Sequence, residues 1–215
     1  MAHRYHREPH RSAGFRAFLV GGALLGTLGA AAATAAGVEQ PAPLREEART
    51  FLNHGQDYAR NHQWGAAVAL YRDAIDMDPR QAEAHLELGV ALAQQDRPRA
   101  SAQALKRATE LRPDSAKAFY NLGVAYAHSG EIQKEMEAYR EAIRLDPEHI
   151  SAHYNLGTAH WGEGRDGEAS REFYEAGKLY QEAGHPRMAR QMLQLIQEIA
   201  PESEYRNRLE RVMEE

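Results

Sequence analysis

Four glycines, Gly55, Gly89, Gly123 and Gly157, stand 34 residues apart, and three prolines, Pro79, Pro113 and Pro147, recur at the same interval. The segments around the glycines align without gaps as FLNHG, HLELG, FYNLG and HYNLG. Those ending at the prolines align as LYRDAIDMDP, ALKRATELRP and AYREAIRLDP. A period of this length marks an array of supersecondary units. In the first half of each unit, positions 4, 7, 8 and 11 share one helical face at about 100° per residue. They are Phe51, Gly55 and Tyr58 in the first unit, and Phe119, Leu122, Gly123 and Tyr126 in the third. That stripe is predicted to be buried. The second half places Tyr71 beside Ala74, Leu105 beside Ala108 and Tyr139 beside Ala142, a large group next to a small one. Small residues at the glycine and alanine sites let two antiparallel helices approach closely, and the large side chains fill the remaining space. Each proline stops the second helix and turns the preceding Asp78, Arg112 or Asp146 away from helical geometry. One unit cannot offset its own conformational entropy, at about 1.5 kcal/mol per residue, so stability must come from stacking on neighbours.

An aromatic residue, then Leu-Gly, then Tyr, then Ala-x3-aromatic and finally Pro is a pattern that resembles the tetratricopeptide repeat. The resemblance implies an all-α, right-handed solenoid of antiparallel helix pairs, with about three to four repeats and a C-terminal capping helix. The units run 48–81, 82–115, 116–149 and 150–183, followed by an overlapping degenerate repeat at 170–203 and a cap at 204–215. Phe173, Ala176, Gly177, Tyr180, Ala189 and Pro201 again fit the pattern, but 20 residues out of phase with the first three units. Helices are therefore expected at about 150–163, 166–182 and 186–199, the middle one shared between two repeats. Other departures are His54 in place of Leu, Ser101 and Glu135 where a small Ala belongs, and Gln181 where a fourth Pro would fall.

The repeats account for residues 48–203, and what precedes them has a different character. Residues 1–16 are basic and His-rich, and residues 17–38 carry no charge. Residues 1–36 read as a signal peptide or a signal anchor, with residues 37–47 as a linker. In both readings Arg4, Arg7, Arg11 and Arg16 hold the N-terminus inside, so the repeats are expected to be extracytoplasmic, periplasmic or secreted, and in the second reading anchored in the inner membrane by residues 17–38. The chain has 26 basic and 31 acidic side chains, and residues 37–215 keep 22 and 30 of them, a net charge of −8. That excess argues against a nucleic-acid partner. The absence of cysteine excludes disulfides, Cys-ligated zinc and a lipidated cysteine.

Stacked helix pairs curve, and the first helices line the concave side. On them, positions 2, 5, 9 and 12 form a second stripe, which ends in Lys117, Tyr120, Val124 and Ala127 and in Ser151, Tyr154, Thr158 and Trp161. This face is read as a groove for a partner polypeptide, with Tyr120, Tyr154 and Trp161 as aromatic anchors and Lys117 beside them. The aliphatic members Leu52, Leu86 and Val90 either line that groove or seal neighbouring repeats together. Position 6 adds Asn53, Asn121 and Asn155, interrupted by Glu87; an amide row offers a peptide backbone both donors and acceptors. Similar asparagine ladders hold the acceptor polypeptide in protein O-linked glycosyltransferases. The carboxylate clamp of some tetratricopeptide domains, which grips a chaperone C-terminus with two basic side chains and two asparagines, is incomplete: Lys117 matches, but Leu52, Gln56, Glu87 and Asn121 stand at four of its positions.

No phosphate loop, His-Glu-x-x-His motif or Gly-x-Ser-x-Gly elbow is present, so no enzyme and no cofactor is expected. His149, His153 and His160 share a helical face and define the alternative of a metal- or small-molecule-binding protein. Against a metal stands their alignment with packing positions, since Phe119 and Tyr126 occupy the places of His153 and His160 one repeat earlier. A structural homo-oligomer, with Trp161 and the tyrosines in a homotypic interface, is the third reading.

Overall fold

The computed structural model describes residues 41–214, so the expected leader and its apolar run at 17–38 lie outside the described residues. Ten α-helices, and no strand, make up the described residues. They are α1 Ala42–Arg60, α2 Trp64–Met77, α3 Ala82–Gln94, α4 Pro98–Leu111, α5 Ala116–Ser129, α6 Ile132–Leu145, α7 Ile150–Gly162, α8 Asp166–Glu182, α9 Pro186–Ile199 and α10 Glu204–Glu214. Each helix packs on the next, and α1 also touches α3 while α3 touches α5. The first helices thus form an inner row, the arrangement of a solenoid of helix pairs. α1 begins ahead of the unit boundary at 48: Pro41 stands at its N-cap and a second proline in the first turn is tolerated there, so a stretch expected as linker is helical. No described helix is long and apolar enough to cross a membrane.

Sterics at two recurring sites set the architecture. A Cβ on Gly123 would meet the Tyr139 ring at 2.5 Å, one on Gly157 the Phe173 ring at 2.8 Å, and one on Gly55 the Tyr71 ring at 2.6 Å. Only a backbone without a side chain admits those rings, which are completely or almost completely buried. The pre-proline residues Asp78, Arg112 and Asp146 leave the helix with φ −135°, −135° and −138°. Within each pair, the turn uses one left-handed residue: His62, Asp96, Gly130 and Gly164, again 34 apart, and Gly184 in the phase-shifted unit.

Position 11 of the first helix reports what neighbours contribute. Leu92 is buried in a cluster with Val68 and Tyr71 of the preceding pair, and Tyr126 packs against the cluster that holds Leu105 and Ala108 of its own preceding pair. Tyr58, expected to be buried, is 42% exposed, because no preceding pair stands against α1 among the described residues. Ser101, at an alanine site, is fully buried and donates to the Gly89 carbonyl at 2.7 Å. At the far end Leu209 of α10 is fully buried where Gly177 and Met192 leave room for it.

Candidate functional site on the inner face

The aliphatic and aromatic members of the inner stripe part company. Leu52 and Leu86 are buried in the clusters that join consecutive repeats, so they seal the stack. Tyr154 and Trp161 stay 38% and 41% exposed on α7, seven residues apart and therefore on one face. Tyr120 is half-buried, with its ring 4.6 Å from His149 and 6.0 Å from Tyr139. Tyr154 leans on Phe173 at 5.9 Å. Both tyrosines are thus held by aromatic neighbours, which lowers the entropy lost when a ligand packs on them.

The polar members are not equally available. Asn155 donates its side-chain N–H to the Tyr139 hydroxyl at 3.2 Å, and Asn121 donates to the Lys117 carbonyl at 2.8 Å. Each keeps its amide oxygen and one further hydrogen for a ligand. Lys117 is paired with Glu87 at 3.1 Å, so the residue that interrupts the asparagine row also neutralises the cation beside it. Asn53 is exposed on α1, apart from the others, next to Arg49, Arg80 and Arg112. The Tyr139 hydroxyl has its pKa driven upward by burial first, and it stays a neutral partner for Asn155.

Between α7, α8 and α9 lies a cavity of about 520 Å³, lined by Tyr154, Tyr180, Met188, Met192, Leu195 and Glu198 among others. Of these, sequence reasoning singled out only Tyr154 as a contact residue. Tyr180 falls at a packing position of the repeat pattern, and the change of phase hides the α9 side chains. The available signal was the strong amphipathicity of α9: Met188 and Leu195 share a face seven residues apart, and the structure leaves Met188 exposed.

The three histidines do not converge. The His149 Nδ1 accepts from the Ala152 backbone N–H at 3.3 Å as a helix cap. His153 is buried, with Nδ1 2.8 Å from the Glu172 carboxylate and Nε2 3.1 Å from the Pro147 carbonyl. His160 is buried, with its Nδ1 lacking a protein partner. Among the described residues no group of three His, Cys, Asp or Glu side chains could hold a metal ion. With Glu172 ionised, both partners only accept, and His153 then donates from both nitrogens as an imidazolium. Burial opposes that charge, but the bonds to Glu172 and Pro147 outweigh it and raise the pKa. Glu172, also buried, is gripped by His153 and by Arg171 at 2.8 Å; these bonds outweigh burial and lower its pKa. His85 occupies the same position two repeats earlier and bonds the Pro79 carbonyl at 3.0 Å, but Ala104 stands where Glu172 would be. Without the carboxylate, burial wins and the His85 pKa falls.

A helical-repeat solenoid with an aromatic inner face is a scaffold of protein-binding class. The tetratricopeptide repeat model matches residues 52–98, 91–150 and 137–183, and the chain belongs to the tetratricopeptide repeat family. Among solved structures, one titled as the crystal structure of MamA protein aligns at 23% identity and TM-score 0.57, covering 72% of this chain and 92% of that one. MamA 41-end from Desulfovibrio magneticus RS-1 aligns at 24% identity and TM-score 0.60, covering 63% and 76%. YrrB, titled as a TPR protein with an unusual peptide-binding site, aligns at 18% identity and TM-score 0.53, covering 75% and 90%. At these identities the likeness is one of fold. No curated protein matches the chain.

Proposed function

We propose that this chain is a non-catalytic scaffold that holds a partner polypeptide along the inner face, outside the cytosol, to which residues 1–36 address it. The observation that carries the reading is the α7–α9 end of that face. There Tyr154 and Trp161 remain partly exposed, Tyr154 against an apolar cavity of about 520 Å³, although Leu52 and Leu86 of the same stripe are buried. Peptide binding by this fold is stated for two similar structures: YrrB, and the first TPR of Spaghetti (RPAP3) bound to an HSP90 peptide, the latter at 17% identity and TM-score 0.54. Tyr154 and Trp161 then act as anchors, and the free amide groups of Asn121 and Asn155 hold the peptide backbone. Asn53 and Lys117 extend the contact toward α1.

A photocrosslinker in place of Tyr120 in living cells tests this, followed by identification of the attached protein and its compartment. A cytosolic partner would overturn the location. With that partner in hand, Trp161→Ala is expected to weaken binding by about 2 kcal/mol or more, and Asn121→Ala with Asn155→Ala by about 1–2 kcal/mol. Lys134→Ala, on the outer side, should change nothing. Unchanged affinity in both groove variants, with intact helical circular dichroism, would move the binding site elsewhere and favour the homo-oligomer.

A further inference from the structure

The opposite end of the inner face has a different chemistry. Arg49, Asn53, Arg80, Gln81, Glu83 and Arg112 border a cavity of about 510 Å³ between α1, the turn before α3 and the end of α4. Three guanidiniums meet one carboxylate there, in a chain whose residues 37–215 carry a net charge of −8. Arg112 reaches Glu83 at 3.4 Å, long for a charge-assisted bond. The side chains of Arg49 and Arg80 have no acidic partner among the described residues. Arg45, Glu46 and Asp78 border the adjoining cavity, and the Asp78 carboxylate already accepts from the Arg80 backbone N–H at 3.1 Å. Among the described residues Asn53 makes no side-chain hydrogen bond, and the buried Oε1 of Gln81 lacks a donor.

The exposed Arg49 and Arg80 present guanidinium donors that suit carboxylates, and the buried Gln81 Oε1 suits an N–H donor. A simple anion supplies only the first; an acidic peptide supplies both. We propose that this pocket takes Asp or Glu side chains of the partner polypeptide. The partner then lies along the inner face with its acidic residues at the α1–α3 end and its apolar residues at the α7–α9 end. None of the three arginines stands at a position of the chaperone carboxylate clamp. The inference rests on the inner face being a peptide groove, and it adds which peptides that groove prefers and in which direction.

Selection from a random peptide library on the immobilised full-length protein, with circular dichroism as a folding control, separates the two ideas. The expected result is enrichment of Asp and Glu toward one end of the recovered peptides and of large apolar residues toward the other. Arg49→Ala combined with Arg80→Ala should abolish the acidic enrichment and weaken a selected peptide about tenfold, with apolar enrichment kept. Trp161→Ala should do the reverse. Recovery of apolar peptides without acidic residues, or acidic enrichment that survives in the arginine variant, overturns the acidic pocket and leaves the groove standing. Displacement of the selected peptide by millimolar inorganic phosphate would show a plain anion site and also overturn it. No enrichment on the wild-type protein overturns the groove and this proposal together.

Discussion

At the scale of the residue, the absence of one atom decides how close two helices come. Gly123 and Gly167 are both helical, yet a Cβ at the first would stand 2.5 Å from a ring carbon of the fully packed Tyr139, whereas at the second it would meet nothing within 4 Å. Gly123→Ala is therefore expected to lower stability by about 1–3 kcal/mol in urea unfolding, because the ring cannot move without reopening the pair. Gly167→Ala should stay within about 0.5 kcal/mol of the wild type or gain slightly from helix propensity. Equal losses would show that the glycines serve the backbone and not the packing. This layer of the fold was legible from sequence, because a missing Cβ and a proline ring act on their immediate neighbours and leave the same mark in every unit. Neighbour-dependent burial was not. Tyr58 and Tyr126 occupy the same repeat position, and only the pair preceding Tyr126 distinguishes them.

Among the elements, α7 and α8 are joined differently from the pairs before them. Where α5 offers Phe119, α7 offers His153, and the lost apolar contact is replaced by a buried ion pair with Glu172 that Arg171 extends. His153 has its folded pKa raised above 6.5, so its contribution is complete below the unfolded value and is lost as pH rises through the folded one. Glu172 has its folded pKa lowered from 4.5, so its contribution is complete above that value and is lost as pH falls through the folded one. The pair is at full strength between about pH 4.5 and 6.5. Above that window the wild-type protein should lose stability relative to His153→Phe, measured as the difference in urea midpoints between pH 6 and 9. Referring each midpoint to His153→Phe cancels the opposite trend of His85 and His160, whose pKa values burial lowers. A difference independent of pH would mean that His153 is neutral and Glu172 carries the proton between them. The sequence showed His153 at a packing position. It could not show Glu172 nineteen residues away, because pairing across two helices depends on how α8 turns its face.

At the scale of the whole array, the order of the described helices in sequence is also their order in space, and among the described residues each pair leans on its neighbours. The phase change in the last unit preserves this by letting α8 serve twice, against α7 on one side and against α9 and α10 on the other. The candidate groove inherits the consequence: its apolar end stands on the last joints of the array, and its arginine end on the first. Stability in such an array is a sum of local terms and nearest-neighbour contacts, so damage at one end should remain there. Leu209 is the most deeply placed side chain of α10, seated against Gly177 and Met192. Leu209→Ala leaves a cavity in that seat and should remove about 2–5 kcal/mol from the terminal joint. Amide hydrogen exchange is expected to accelerate in α8, α9 and α10, while α1 to α4 keep wild-type protection. The cavity beside Tyr154 is built on α9, so the same variant should weaken peptides held at the apolar end and spare contacts made by Arg49 and Arg80. Uniform loss of protection from α1 to α10 would show that the repeats unfold as one cooperative block, and the two ends of the inner face would then be energetically inseparable.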